Sequence, residues 1–573
     1  MKFFSKKINI ILILLVVLFF QSKVIARESK IQYKSENISN YFLGILYINQ
    51  EYNNEKALKY LKKVKTIKNR HSQFNIEFIR TFILLEKFNQ AFAYSKSIWN
   101  KDQYFFDADL LLGLNSFIKK DYINAEKHFK RLNRISRYNL VFDDFIGNIL
   151  LAWVKASEKN KEESFKFIEK IPKVYRHLTK TQEIFLQCYF DFDETQESLE
   201  KLIDSEDYNF SRYNFFLVNY LLSKNKHEEA KKAIEESRNK HQSNLLIKQI
   251  EQFYFNDEKE KIVNFFNCKN QNDAIAEFFY VIANLYASEK DYRLSNFYLK
   301  ISLFLNNKFM TNKALLAENF FYQDKNEEAK ITFNYLKSIG STYSWHASKN
   351  IAAILLDEKG KKNSISSLEN DFKKLLNPSY EHYYELANFY KDNEYYEESI
   401  KYYSLALNKI NKNHSLVPKI LDRRGTSFER LGNWESAEKD LVESLKILPD
   451  QPHVLNYLAY TWVDKGINLD KGLEMLKKAT ELRKNDGYII DSLGWAYYAK
   501  KDYVKAKFFL ERAVELLPSD PIISDHYADS LWMLNKNIQA RYTWKNILKL
   551  DGVDEELVKK IKKKLIFGIT KKL

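Results

Sequence analysis

Small and large apolar residues recur among polar ones along the C-terminal half of this 573-residue chain, in a lattice that repeats every 34 to 38 residues. Between Gly487 and Asp520, the residues Leu493, Gly494 and Tyr497 form one stripe of helical spacing. Ala506, Leu510 and Ala513 form a second, beyond a turn at Lys501-Asp502. Small side chains at Gly494, Ala506 and Ala513 let two antiparallel helices approach closely, with Tyr497 and Leu510 filling the space beside them. Pro518 closes the second helix, because its ring cannot continue the hydrogen-bond ladder.

The lattice starts at about Ala276, Met310, Trp345, Tyr380, Pro418, Pro452, Gly487 and Pro521. Its small position falls on Ser295, Ala329, Ser364, Ser399, Ala437, Gly472, Ala506 and Ala540, and six of the seven prolines lie between units. Toward the N-terminus the pattern weakens: Leu43, Gly44, Tyr47, Ala57 and Leu61 make one unit, and Leu112, Gly113, Ala125, Phe129 and Leu132 another. Residues 171–210 and 235–275 fit poorly, which places a joint near residue 270. The predicted organisation is a degenerate helical array over 27–270, a regular one over 271–553, and a basic amphipathic cap or tail over 554–573. The fold class expected is all-α, a right-handed superhelical solenoid of antiparallel helix hairpins, each burying its apolar face only against its neighbours.

Composition agrees with this reading. With 13 Gly and 7 Pro the chain has too few turn-formers for a many-stranded sandwich, and 45% hydrophobic residues exclude wholesale disorder. Residues 1–26 carry basic residues, an apolar run from Ile10 to Phe20 and the small-residue spacing of Val24-Ile25-Ala26. That is the pattern of a cleaved secretory signal, with a run too short to span a bilayer. No cysteine stands near the cut to carry a lipid. The formal charge is +16, but acids are interleaved with the lysines, so a solvated helix surface is expected and no nucleic-acid partner. In a linear array Cys188 and Cys268 would lie more than two units apart, so two separate buried thiols are expected.

The Gly487–Asp520 pattern resembles the tetratricopeptide repeat. The stretches Leu455-Asn456-Tyr457-Leu458-Ala459-Tyr460-Thr461-Trp462 and Asp491-Ser492-Leu493-Gly494-Trp495-Ala496-Tyr497-Tyr498 resemble C-terminal repeats of exported tetratricopeptide proteins of Gram-negative envelopes. That group includes a lipoprotein adaptor of a carboxyl-terminal processing protease. The resemblance implies a periplasmic scaffold or adaptor whose partners are protein or peptide segments, an envelope protease or a cell-wall enzyme among them. It also implies that concave-face residues sit at Asn456 and Tyr460, at Tyr488, Asp491, Trp495 and Tyr498, and at Asp525, Asp529 and Trp532. The middle set has helical spacing off the core stripe, so its aromatics are candidate anchors for a bound peptide.

No metalloprotease, nucleophile-elbow, phosphate-loop or Cys-x-x-Cys motif occurs, so neither a cofactor, a metal nor catalysis is expected. The tail from Asp554 to Leu573 combines seven lysines with Leu557, Val558, Ile561, Leu565 and Ile566 at helical spacing, and reads first as a cap on the last repeat. The competing reading is contact with an anionic membrane through the tail or leader, within a structural envelope protein attached by its basic face.

Overall fold

The computed structural model describes residues 35–49, 53–68, 71–136, 144–205, 211–241 and 243–569; the expected leader, 1–26, lies outside them. Among the described residues there are thirty α-helices, three 3-10 helices and no strand, and no helix is long and apolar enough to cross a membrane. The chain divides into two compact units between Ile354 and Leu355. The division falls within Ser341–Phe372, whose helical path is interrupted at Gly360 (φ 77°, ψ 172°).

The hairpins form for the reasons the lattice gives. Ser295, Ala329, Ser364, Ser399, Ala437, Ala506 and Ala540 are all fully buried, and Gly472 is buried with them. A Cβ on Gly494 would lie 2.6 Å from Leu510, one on Gly113 2.3 Å from Phe129 and one on Gly44 2.6 Å from Leu61, so the same close helix approach recurs from the first hairpin to the last units. The turn inside a hairpin is also shared. A left-handed residue (Lys120, Lys159, Lys290, Lys501) precedes an Asp or Asn whose side chain accepts the N–H that opens the next helix, as Asp291 does from Leu294 at 3.0 Å and Asp502 from Lys505 at 3.2 Å. Pro418, Pro452 and Pro521 stand in the first turn of their helices, where the missing N–H costs nothing.

The second unit is a run of such hairpins, an all-α solenoid. The first helices of successive hairpins touch, Pro452–Asp464 against Gly487–Ala499 and Gly487–Ala499 against Pro521–Met533, and so line one face together. The helix Glu555–Phe567 then packs Ile561 into a cluster with Ala528, Leu531, Trp544 and Ile547.

The first unit departs from a linear stack. The hairpin made of Gln271–Ser288 and Tyr292–Leu305 touches Phe145–Ser157 and Arg176–Tyr189 with its first helix and Ser72–Leu84 with its second. Phe145–Ser157 is consequently buried along nearly its whole length, as a helix covered on both faces must be. Polar groups lock the hairpin in place. Arg212 donates to both oxygens of Glu277 at 2.8 and 2.9 Å in a buried bidentate pair, and Phe88 stacks on Phe304 at 4.0 Å.

This return of the chain overturns the expectation for the cysteines. Cys188 and Cys268 form a disulfide, with Cα atoms 6.0 Å apart across 80 residues of sequence. The spacing argument assumed that each unit moves steadily away from the last. Here the chain after Tyr189 is back beside it by Lys269, where Gln271 donates to the Tyr189 hydroxyl at 2.8 Å and Lys269 to the Tyr189 carbonyl at 3.0 Å.

Candidate functional site

All nine expected groove residues stand on the first helices of three consecutive hairpins in the second unit: Pro452–Asp464, Gly487–Ala499 and Pro521–Met533. The structure sorts them into an accessible aromatic set and a buried charged set.

Tyr488 is 58% exposed, whereas Asn456, Tyr460, Trp495 and Tyr498 are half-buried. Trp495 stacks on Tyr498 (centroids 4.6 Å apart, planes 6° apart) and on His526 of the next hairpin (4.1 Å, 18°), so the ring is held flat between neighbours with part of its surface open. Tyr498 meets Tyr503 edge-on at 5.4 Å. Burial, reinforced by the nearby Asp464 and Asp491 carboxylates, pushes the Tyr460 phenol up to about 12, so it is a neutral hydrogen-bond donor at physiological pH. Burial, then Asp529, raises Tyr498 as well. Asn456 carries a buried Oδ1 with no hydrogen-bond partner among the described residues, an unmet acceptor one helical turn before Tyr460.

The carboxylates behave differently from solvated groove residues. Asp491 is 6% exposed and takes His526 Nδ1 at 3.0 Å on both oxygens. Asp525 accepts from the Trp544 indole at 3.0 Å and from Lys564 at 2.7 Å. Asp529 accepts from Lys564 at 2.5 and 2.7 Å. Lys564 belongs to the terminal helix Glu555–Phe567 and is itself buried, with Lys560 3.4 Å from Asp525 beside it. The acidic character expected of this face is thus neutralised by the chain's own cations. Trp532 is covered in the same way, packing on Trp544 (5.6 Å), lying beneath the Arg541 guanidinium (5.1 Å) and closing against Gly568. Sequence reading missed Lys564 and His526 as partners. A signal was present, since Lys560 and Lys564 fall at i+3 and i+7 from Leu557, inside the tail's apolar stripe, where a lysine needs a counter-charge.

The cluster has a defined pH response. Burial and the neighbouring Asp525 charge raise Asp529 to about 6, against the pull of Lys564. Burial opposes the His526 imidazolium, but Asp491 first, then Asp525 and Asp529, outweigh it and raise its pKa above the ordinary value. Both groups bind a proton more tightly folded than unfolded. His526 therefore stabilises fully below 6.5 and loses that contribution as pH rises through its folded pKa, while Asp529 adds stability as pH falls through about 6. Hydrogen exchange in residues 521–567, corrected for intrinsic rates, should slow between about pH 8 and about pH 5. Equal protection across that range would contradict the assignment.

Stacked helix hairpins with a partly open aromatic face define a scaffold class of protein; among the described residues no three His, Cys, Asp or Glu side chains are placed to hold a metal. Residues 490–520 match the tetratricopeptide repeat model, so the chain contains a tetratricopeptide repeat there. Over 103 residues it is 29% identical to a TPR repeat-containing protein of Pseudomonas aeruginosa, a match spanning 18% of each chain. Among solved structures it is similar to a tetratricopeptide repeat protein of Parabacteroides merdae (18% identity, 39% of this chain and 88% of that one, TM-score 0.34). It is also similar to a chain of the Cut9–Hcn1 hetero-tetramer (13% identity, 86% and 90%, TM-score 0.34). Repeats of this family act in general as protein-interaction scaffolds, and this chain shares that general character.

Proposed function

We propose that the protein is a non-enzymatic adaptor of the periplasm that holds a segment of a partner protein along the inner helices of its second unit. The observation that carries the reading is the set of partly open rings that successive first helices present, Tyr460, Tyr488, Trp495 and Tyr498. An extended segment lays its side chains against these rings, which serve as its anchors. Export is supported by the leader pattern of residues 1–26 and by the Cys188–Cys268 disulfide, a bond that persists in oxidising compartments. An envelope protease or a cell-wall enzyme fits as the partner.

The test is photo-crosslinking from Tyr488 in envelope extract, repeated in a Tyr460→Ala, Trp495→Ala background. Loss of two aromatic anchors should lower recovery of the crosslinked proteins by about tenfold or more. Equal recovery from both forms would sink the groove assignment. Trp532 is left intact in this experiment, because its ring is part of the packing under the terminal helix.

A further inference from the structure

The first unit contains a cavity of about 1260 Å³, bounded by the Leu84–Gln90 turn, the helix Tyr292–Leu305 and the helices Lys313–Phe321 and Asn326–Leu336. Five cationic side chains line it, Lys87, Arg293, Lys300, Lys313 and Lys325, against three carboxylates, Glu55, Glu86 and Glu328. Two of those carboxylates are already engaged: Lys87 pairs with Glu55 at 3.3 Å and Lys300 with Glu86 at 2.5 Å. Arg293 pairs with Glu77, outside the lining. Lys313 instead lies over the Tyr335 ring at 3.6 Å, with no carboxylate in ion-pair reach among the described residues.

The positive charge here is gathered from separate elements by the tertiary arrangement, Lys87 from one helix start and Lys300, Lys313 and Lys325 from the helices across the cavity. Its strain is visible in the lysines themselves. Burial lowers Lys325 to about 8, with Arg293 and Lys300 adding to the effect against Glu328; burial and Lys300 lower Lys313 against Glu86. An anion would relieve both.

Apolar surface stands beside this charge: Phe304 is 42% exposed, Tyr335 38% and Ile331 69%. We infer that this cavity is a docking site for an acidic peptide segment, whose carboxylates meet Lys313 and Lys325 while an apolar side chain between them lies against Phe304, Ile331 and Tyr335. The volume exceeds the roughly 300–1,000 Å³ of small-molecule sites. A peptide places its charges at chosen residues with neutral amides and apolar side chains between, matching two lysines beside apolar surface. This site is distinct from the aromatic groove and does not depend on it.

Fluorescence anisotropy with the full chain tests the inference. The probe is a dye-labelled peptide of roughly twelve residues alternating Asp or Glu with Leu or Phe, at about 150 mM salt. A Lys-substituted version of that peptide and an oligothymidylate of equal negative charge serve as comparisons. The acidic peptide should bind saturably, and Lys313→Glu with Lys325→Glu should weaken it by about tenfold or more. Ile331→Asp, which alters an exposed position at the mouth without touching the core, should weaken it in the same direction. Absence of saturable binding by the wild-type chain, equal binding by the Ile331→Asp form, or tighter binding of the oligothymidylate would each overturn the proposal.

Discussion

Replacing Lys564 by methionine releases the terminal helix. The side chain is buried, and its ammonium is the hub that lets Asp525 and Asp529 sit together away from water, at 2.7 Å from the first and 2.5 and 2.7 Å from the second. Methionine preserves most of the volume but leaves carboxylates without their counter-charge, a change that typically costs about 3–5 kcal/mol. Asp525 keeps the Trp544 indole and Lys560, so Asp529 bears most of the loss. In an array stabilised by neighbour contacts, a penalty of that size at the end is met by local opening before global unfolding. Hydrogen exchange over 555–567 should rise toward that of an unfolded peptide, and Asp529→Asn added to Lys564→Met should recover part of the protection. Wild-type protection in the single variant would refute the role given to this lysine. Opening would also uncover Trp532, bringing the last repeat's inner helix into the accessible face.

Loss of the disulfide should destabilise the first unit and leave the second unchanged. Closing a loop of 80 residues removes chain entropy from the unfolded state worth about 4–5 kcal/mol in the simplest model, and measured values run at roughly 2–5 kcal/mol. A Cys188→Ser, Cys268→Ser chain, or the native chain in reductant, should show an earlier urea transition for the first unit by that amount. The crossing helices Arg176–Tyr189 and Gln271–Ser288 retain their other contacts, including the Gln182 amide donating to the Ala274 carbonyl at 3.2 Å, so the fold itself should persist. Two free thiols in the purified, non-reduced protein would remove the premise.

The hairpins were legible because their signal is local and repeated. Gly494 against Leu510, and the buried small residue that opens each second helix, recur at near-constant spacing, and a pattern seen eight times needs no knowledge of distant contacts. Tyr460, Tyr488 and Trp495 stand on the first helices of their hairpins, where the same register puts them. The partners of Asp491, Asp525 and Asp529 did not, since His526 lies 35 residues from Asp491 and Lys564 39 residues from Asp525, distances that periodicity does not address.

The first unit marks the same boundary more sharply. The poorly fitting stretches 171–210 and 235–275 carried no spacing from which a chain return could be read, and the assumption of a straight stack led to the wrong expectation for Cys188 and Cys268. Hairpin formation depends on residues a few turns apart, whose apolar stripes and caps stand in the chain itself, so the sequence alone determined that this is an all-α array of helix hairpins and which faces its helices bury. Only the tertiary structure decided which surfaces stay open, which acids are spent on internal lysine and histidine, and where lysines from separate helices collect. Each of those outcomes depends on desolvation and charge pairing between side chains brought together from distant parts of the chain.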